Sequence, residues 1–112
     1  MSWGQNINWV KLSDVPENAH DNVLVIWTAD WCGPCKKFRK VLNNNADLIN
    51  ENYYAVKFIV NKEWDNVIGD INSLPTMRIF DMKDGEFIYL EEFEGAYDDE
   101  NTKIILNHYK GE

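Results

Sequence analysis

The chain has 112 residues, of which 45% are hydrophobic, 13% aromatic and 27% charged. This length suits one domain spanning residues 1–112 and is too short for two independently packed cores, and the composition excludes a chain too polar to collapse. The formal net charge of -8 argues against nucleic acid as the default ligand, because backbone phosphates would be repelled over most of the surface.

The N-terminal residues and the longest apolar run bear on location. Residues 1–12 contain no basic stretch followed by sustained apolar residues, so they do not resemble a secretory signal. The longest strongly apolar run, Val23 to Trp27, is far shorter than the ~20 residues that a membrane helix needs. We therefore expect a cytoplasmic protein that does not bind membranes. As a separate expectation, the protein carries no cofactor.

The first half of the chain predicts a buried strand followed by a long helix. Upstream signals are weak and indicate an edge strand over Ile7 to Leu12 and a short helical turn over Val15 to Ala19. Val23 to Trp27 is a continuous β-rich apolar run, typical of a strand buried on both faces. A proline suited to a first turn and apolar residues at helical spacing then predict a helix from Pro34 to Asn50.

The next segment predicts a strand, a short helix and a hairpin. Tyr54 to Val60 is rich in aromatic and β-branched residues, which favours a strand, and apolar residues at helical spacing predict a helix within Asn61 to Asp70. Thr76 to Met82 and Phe87 to Phe93 predict two antiparallel strands, since the Asp-Gly turn of Lys83 to Glu86 lies between them.

A last helix completes the predicted order of elements. Asp98 or Asp99 can cap it, and Ile104, Ile105 and Tyr109 are its expected apolar positions. The order β-α-β-α-β-β-α predicts an α/β fold with a central mixed β-sheet flanked by helices on both faces.

The chain has only two cysteines, Cys32 and Cys35, with two residues between them. The loop that they close is too small for a strong structural staple, and in a reducing compartment such a pair is redox-active or binds metal. A structural zinc site would need about four Cys or His ligands, and the chain adds only His20 and His108. We therefore predict no metal site and interpret both histidines as surface or partner-satisfied residues.

The position of the two cysteines favours thiol-disulfide chemistry. Cys32 is predicted just ahead of a helix and Cys35 in its first turn, where the electropositive helix terminus favours a thiolate over a neutral thiol. Gly33 and Pro34 let the two sulfur atoms meet across a tight turn. Cys32 can therefore attack a substrate disulfide, and Cys35 can resolve the mixed disulfide from within the same site.

Four segments resemble the thioredoxin family over roughly Leu24 to Tyr109. The hexapeptide Trp31-Cys32-Gly33-Pro34-Cys35-Lys36 resembles the active-site motif, Leu74-Pro75-Thr76 the cis-proline loop, Lys83 to Glu86 the hairpin turn and Gly95-Ala96 the third active-site loop. The resemblance implies the thioredoxin fold and a cis peptide bond before Pro75. It also implies a substrate-binding surface made by Trp31, Gly33, Pro34, Leu74, Pro75, Gly95 and Ala96.

The chain departs from the family pattern at three positions. The family usually has an aspartate six residues before the first cysteine, where this chain has Ile26. It usually has a tryptophan four residues before that cysteine, where this chain has Thr28. Lys40 replaces a proline that commonly kinks the helix. In the family that acid is understood to accept the proton of the resolving thiol. Lys57 occupies the position of the lysine that usually pairs with this acid. We predict that Lys57 either reaches solvent or pairs with another carboxylate such as Asp30. Lys57 and Asp30 are therefore candidate modulators of the thiol pKa values.

Four basic residues follow the second cysteine closely: Lys36, Lys37, Arg39 and Lys40. They are either the solvated face of a helix or a source of positive potential that favours the thiolate and acidic partners.

These observations predict a protein-disulfide reductase of the cytosol, a monomer whose partners are disulfide-containing clients and a thioredoxin-reductase-type electron donor. The Gly-Pro dipeptide between the cysteines resembles the reducing members of the family. One alternative is a specialised exchange protein with a single client, suggested by Ile26, Thr28 and the run Asn43-Asn44-Asn45. Another is a binding module in which the fold serves as a subunit of another enzyme.

Overall fold

The computed structural model of the chain describes residues 6–110, so the prediction of one domain over residues 1–112 extends to termini outside the described residues. After a 3-10 helix at Leu12–Asp14, the strands and α-helices follow in this order: β1 Asn22–Thr28, α1 Gly33–Asn44, α2 Ala46–Asn52, β2 Tyr53–Ile59, β3 Thr76–Lys83, β4 Glu86–Glu94 and α3 Asp99–Tyr109.

The strands form a mixed sheet with the order β2-β1-β3-β4. β1 pairs in parallel with β2 and antiparallel with β3, and β3 forms the predicted hairpin with β4. β1 is therefore a central strand, and its residues Val23 to Trp27 are at most 3% exposed, as its continuous apolar run predicts.

Alternate residues of the strands enter two cores, one on each face of the sheet. We call them the helix-side core and the loop-side core. The helix-side core joins the sheet to all three α-helices through Phe38, Leu42, Ala46, Ile49 and Leu106. The loop-side core is completed from outside the sheet and the α-helices by Val15, Val60 and Ile71. The α/β fold with a central mixed sheet is thus confirmed. The predicted flanking by helices on both faces is not found in residues 6–110, because all three α-helices pack in the helix-side core and segments outside the α-helices cover the loop-side core.

The predictions for the N-terminal segment are wrong in detail. Ile7 to Leu12 does not form a strand, since it contributes only an isolated bridge between Trp9 and Ala55. Val15 to Ala19 is not helical, and the helical turn lies just upstream at Leu12–Asp14.

The short helix predicted within Asn61 to Asp70 is absent, and the segment is irregular. Trp64 has a φ angle of 60°, in the left-handed region that an α-helix cannot include. Side chains replace the helical hydrogen bonds, because Asn61 Oδ1 accepts the N–H of Asp65 and Asn66 Oδ1 accepts the N–H of Asn61.

The helix predicted from Pro34 to Asn50 is interrupted at Asn45. The Nδ2 group of this buried residue donates to Val41 O at 2.8 Å and to Asp99 Oδ1 at 3.0 Å, which ties the break to the start of α3. Asn43 also has a structural role, since its Oδ1 accepts the backbone N–H of Asn6. Asn43 and Asn45 therefore have structural roles that require no specialised client.

α3 begins with the predicted cap, and two of its three expected apolar positions, Ile105 and Tyr109, pack against the helix-side core. Asp98 is the cap, since its Oδ1 accepts the N–H of Asn101 at 2.8 Å. Thr102 and Leu106 are fully buried, whereas Ile104 is 61% exposed and does not belong to the core.

Tyr53 links β2 to α3 and allows a stability test. Its buried hydroxyl donates to Leu106 O at 2.6 Å, and burial raises its pKa above the usual range. We expect Tyr53→Phe to lower the free energy of unfolding by about 1 kcal/mol at about pH 8, since the buried carbonyl loses a donor.

The same substitution should change the response of stability to alkaline pH. A tyrosine whose pKa is raised by folding ionises first in the unfolded chain, so its contribution is present below about pH 10 and is lost as pH rises further. Urea midpoints of both proteins, measured from about pH 7 to 11, should therefore converge above about pH 10. A gap that stays constant over the whole range would assign the difference to packing alone.

Candidate active site

Cys32 lies where the chain turns into α1. Its extended backbone, with φ of -94° and ψ of 118°, makes it the N-cap residue, and its Sγ accepts the backbone N–H of Cys35 at 3.2 Å. Pro34 is in the first turn, where its missing N–H leaves no helical hydrogen bond unmade. The helix thus directs an N–H and its positive end at the sulfur of Cys32.

The two cysteines are joined by a disulfide, with 5.2 Å between their Cα atoms. Cys35 is completely buried and Cys32 is 7% exposed, so the small accessible part of the pair belongs to Cys32. Both pack with Ala29, and the half-buried Leu74 lies against this cluster. Cys35, the predicted resolving cysteine, is therefore shielded from solvent.

A cis peptide bond joins Leu74 to Pro75, as the family resemblance implies. The carbonyl of Pro75 accepts the N–H of Gly95 at 2.9 Å, so the second and third predicted loops are directly connected. Gly95 has a φ angle of 95°, a left-handed conformation that favours glycine. One contact network thus links the cysteine pair to Leu74, Pro75 and Gly95.

The residues predicted to bind substrate differ in exposure. Trp31 is 40% exposed, Leu74 and Gly95 are half-buried, and Pro75 is buried. Gly33, Pro34 and Ala96 are exposed. The substrate-binding role of the set stays a prediction.

Trp64 lies beside the active site, and no sequence motif predicts this position. Its ring lies 6.3 Å from that of Trp31, centroid to centroid, and Trp31 Nε1 donates to Val60 O at 3.1 Å. Trp31 is therefore held by the residue that follows β2 and by the irregular segment beyond it. In the sequence, this bulky aromatic residue lies next to turn-forming residues, which favours an irregular segment. The helical spacing of the apolar residues favours a helix instead and led to the wrong prediction.

The two unusual residues of β1 are buried. Ile26 is 1% exposed within the helix-side core, and Thr28 is fully buried. Within residues 6–110, the Thr28 hydroxyl has no hydrogen-bond partner. This strand therefore brings no carboxylate into the core at either position.

Lys57 is the neighbour of Ile26 in the parallel pair of β1 and β2. Burial lowers its pKa, and the negative charge of Asp30 opposes that shift. Its Nζ also lies 5.2 Å from the ring centroid of Trp9. The charge of Asp30 thus acts on Lys57, whereas a pairing of the two side chains and an influence of either residue on the thiols stay predictions.

A metal-binding cluster and a membrane-spanning helix are both absent from the part of the chain that the structure describes. Residues 6–110 contain no group of three or more His, Cys, Asp or Glu side chains suited to a metal ion, and His20 and His108 are exposed. Over the same range, each helix is too short or too polar to span a bilayer.

Comparison with known proteins agrees with this geometry. The family model described as a thioredoxin-like domain matches residues 10–110. The chain belongs to the thioredoxin family. Thioredoxin of Ictalurus punctatus is 30% identical over 112 residues, which cover 95% of each chain. Thioredoxin Y1, chloroplastic, of Arabidopsis thaliana is 34% identical over 85 residues, and this match covers 74% of the present chain but only 46% of that relative.

Solved thioredoxin structures have the same fold. The structure of Trichomonas vaginalis thioredoxin aligns with a TM-score of 0.71 at 25% identity, covering 94% of this chain and 98% of that one. A mutant thioredoxin from Halobacterium salinarum NRC-1 aligns with a TM-score of 0.67 at 25% identity, covering all of this chain and 97% of that one. The thioredoxin fold is therefore confirmed.

Proposed function

We propose that this protein reduces disulfide bonds of client proteins through Cys32 and Cys35. The observation that carries the proposal is the position of Cys32, whose sulfur caps a helix and accepts an N–H beside the cis-proline loop. A thiolate at that position is stabilised by the helix terminus and by the hydrogen bond, which raises the supply of nucleophile at neutral pH.

The proposed reaction transfers two electrons from the dithiol to the client. The Cys32 thiolate attacks one sulfur of the client disulfide, so a mixed disulfide forms and the first client sulfur leaves as a thiolate that takes up a proton. Cys35 then loses its proton and attacks Cys32 Sγ. This step breaks the mixed disulfide, releases the second client sulfur as a thiolate and leaves the internal disulfide.

The surroundings of the cysteines support a client that binds as an extended segment. Trp31 offers a partly exposed aromatic surface fixed by Val60 and Trp64. Leu74, which precedes Pro75 in the cis-proline loop, packs against the cluster that contains both cysteines. An extended client chain can bind along this loop while its disulfide reaches Cys32.

The donor, the compartment and the oligomeric state complete the proposal. A thioredoxin-reductase-type protein would restore the dithiol, since the cycle otherwise stops after one turnover. We place the protein in the cytoplasm as a monomer, where the reducing poise keeps such a pair in the dithiol form. Two relatives are named as chloroplastic, so fractionation of tagged protein should test the organelle outcome as well.

The test is turnover of a model protein disulfide with a chemical reductant as the electron source. We expect wild-type protein to accelerate reduction and a Cys32→Ser, Cys35→Ser double variant to give the uncatalysed rate. Full biological activity of that double variant would instead support a binding subunit. The reduction potential of the pair, measured against glutathione, should lie low enough to favour electron flow to clients.

A further inference from the structure

The charges of the chain are unevenly distributed along the sequence. Residues 31–46 hold four of the eleven Lys and Arg residues and none of the nineteen Asp and Glu residues. This segment therefore carries a formal charge of +4 in a chain of net charge -8. The basic face of α1, which we define as Lys36, Lys37 and Lys40, is exposed and follows Cys35 directly.

This arrangement opposes helix stability. α1 has no acidic residue in its first turn and no basic residue in its last, whereas α3 has Asp99 and Glu100 at its start and His108 at its end. Cations near a helix N-terminus interact unfavourably with the helix dipole, and like charges three or four positions apart repel. Lys36 and Lys40 form such a pair, so a purely stabilising role does not explain the basic face.

The basic face is close enough to the cysteines to act on a bound client. Lys40 lies five residues beyond Cys35, about 7.5 Å along the helix axis at the usual rise of about 1.5 Å per residue. That distance is within the Debye length of about 8 Å at physiological ionic strength, so the charge of Lys40 acts on groups that are bound over the thiols. The remaining surface has twelve more acidic than basic residues and repels a uniformly acidic partner.

We infer that the basic face of α1 selects client proteins whose target disulfide is flanked by Asp and Glu residues. The inference rests on the proposed function and specifies its substrate class. A local acidic patch gains attraction from the basic face, while a client that is acidic throughout is repelled by the rest of the molecule. The preferred client is therefore one whose negative charge is concentrated beside the disulfide.

The test compares two synthetic peptides that share one intramolecular disulfide. One carries Asp and Glu at the flanking positions, and the other carries Lys at the same positions. We expect wild-type protein at low ionic strength to reduce the acidic peptide about tenfold faster, at the lower end of known electrostatic rate effects. The ratio should approach one at about 1 M salt, where the Debye length falls to about 3 Å.

Two variants of equal net charge locate the effect. Lys36→Glu with Lys40→Glu should remove or reverse the preference, whereas Lys83→Glu with Lys110→Glu, at exposed positions on the hairpin and after α3, should keep it. Each pair changes the formal net charge from -8 to -12. Any change in thiol reactivity or folded fraction affects both peptides alike and cancels in the ratio.

The possible outcomes separate the inference from the proposed function. A ratio near one in wild-type protein, or an equal loss of preference in both variants, would overturn the role of the basic face. Neutral hydroxyethyl disulfide serves as a third substrate. If wild-type protein reduces it without distinguishing the peptides, only the inference fails, and if it reduces none of the three substrates, the proposed function fails.

Discussion

A Cys35→Ser variant should capture client proteins as stable mixed disulfides through Cys32, whereas Cys32→Ser should lose at least about a thousandfold in disulfide-reduction rate. The physical reason is the difference in position, because Cys32 Sγ is held at the helix terminus and Cys35 is fully buried. A serine hydroxyl stays protonated at neutral pH and cannot replace the thiolate as nucleophile. Without Cys35, the intramolecular step is lost, along with an effective concentration of about 10⁵ M or more for a well-oriented group.

The measurement is the intact mass of the complex formed with a client that has a single disulfide. Cys35→Ser should give an adduct that survives denaturation and disappears on treatment with dithiothreitol. Cys32→Ser should give none above the level of the Cys32→Ser, Cys35→Ser control. In the reduced wild-type protein, limiting alkylation at neutral pH should modify Cys32 well before Cys35. Faster labelling of Cys35, or capture by Cys32→Ser, would reverse the two roles.

The parts of the fold set by local sequence were predictable. The continuous apolar run of β1 predicts a strand covered on both faces, and the Asp84-Gly85 pair predicts the turn between β3 and β4. Cys32 and Pro34 predict the start of α1 because N-cap geometry and a first-turn proline depend on neighbouring residues alone. These local signals also place the chemically important pair of cysteines.

The errors arise where distant contacts decide the conformation. The break between α1 and α2 depends on the bond from Asn45 to Asp99, which is 54 residues away in sequence. The segment after β2 has helical spacing, yet Trp64 packs against Trp31 with a left-handed backbone. In the amide-rich turn around Asn61, side chains form hydrogen bonds with the backbone, and helix propensity does not account for such bonds. Tertiary contacts therefore overrode local preference at one border of the active site.

Ile26→Asp should lower the stability of the oxidised protein and accelerate resolution of the mixed disulfide. Ile26 is 1% exposed in the helix-side core, so a carboxyl group there loses its hydration. We expect the free energy of unfolding to fall by about 1 to 3 kcal/mol, the range for an imperfectly satisfied buried polar group. Lys57 is paired with position 26 across the parallel strands and can place its ammonium group near the new carboxyl group. The loss of unfolding free energy should therefore lie toward the lower end of this range.

The destabilisation should grow with pH. Burial would raise the pKa of an aspartate at position 26 above its ordinary value of about 3.9. An acid whose pKa is raised by folding stays neutral in the folded protein while the unfolded chain ionises. The variant therefore loses stability as pH rises above about 4, until the folded carboxyl also ionises. Urea midpoints from about pH 4 to 8 should show this slope in Ile26→Asp and not in Ile26→Asn, which has nearly the same size without a charge.

Resolution should accelerate only in the variant that can accept a proton. Cys35 must lose its proton before it attacks Cys32 Sγ. A carboxylate at position 26, where the family resemblance places the proton acceptor, offers an acceptor that Ile26 does not. Release of a preformed mixed disulfide, followed from about pH 6 to 8, should therefore be faster in Ile26→Asp than in wild-type protein or Ile26→Asn. If Ile26→Asp were equally stable and no faster at any pH, position 26 would have no part in proton transfer. The proton of Cys35 would then pass to water or to Lys57 or Asp30.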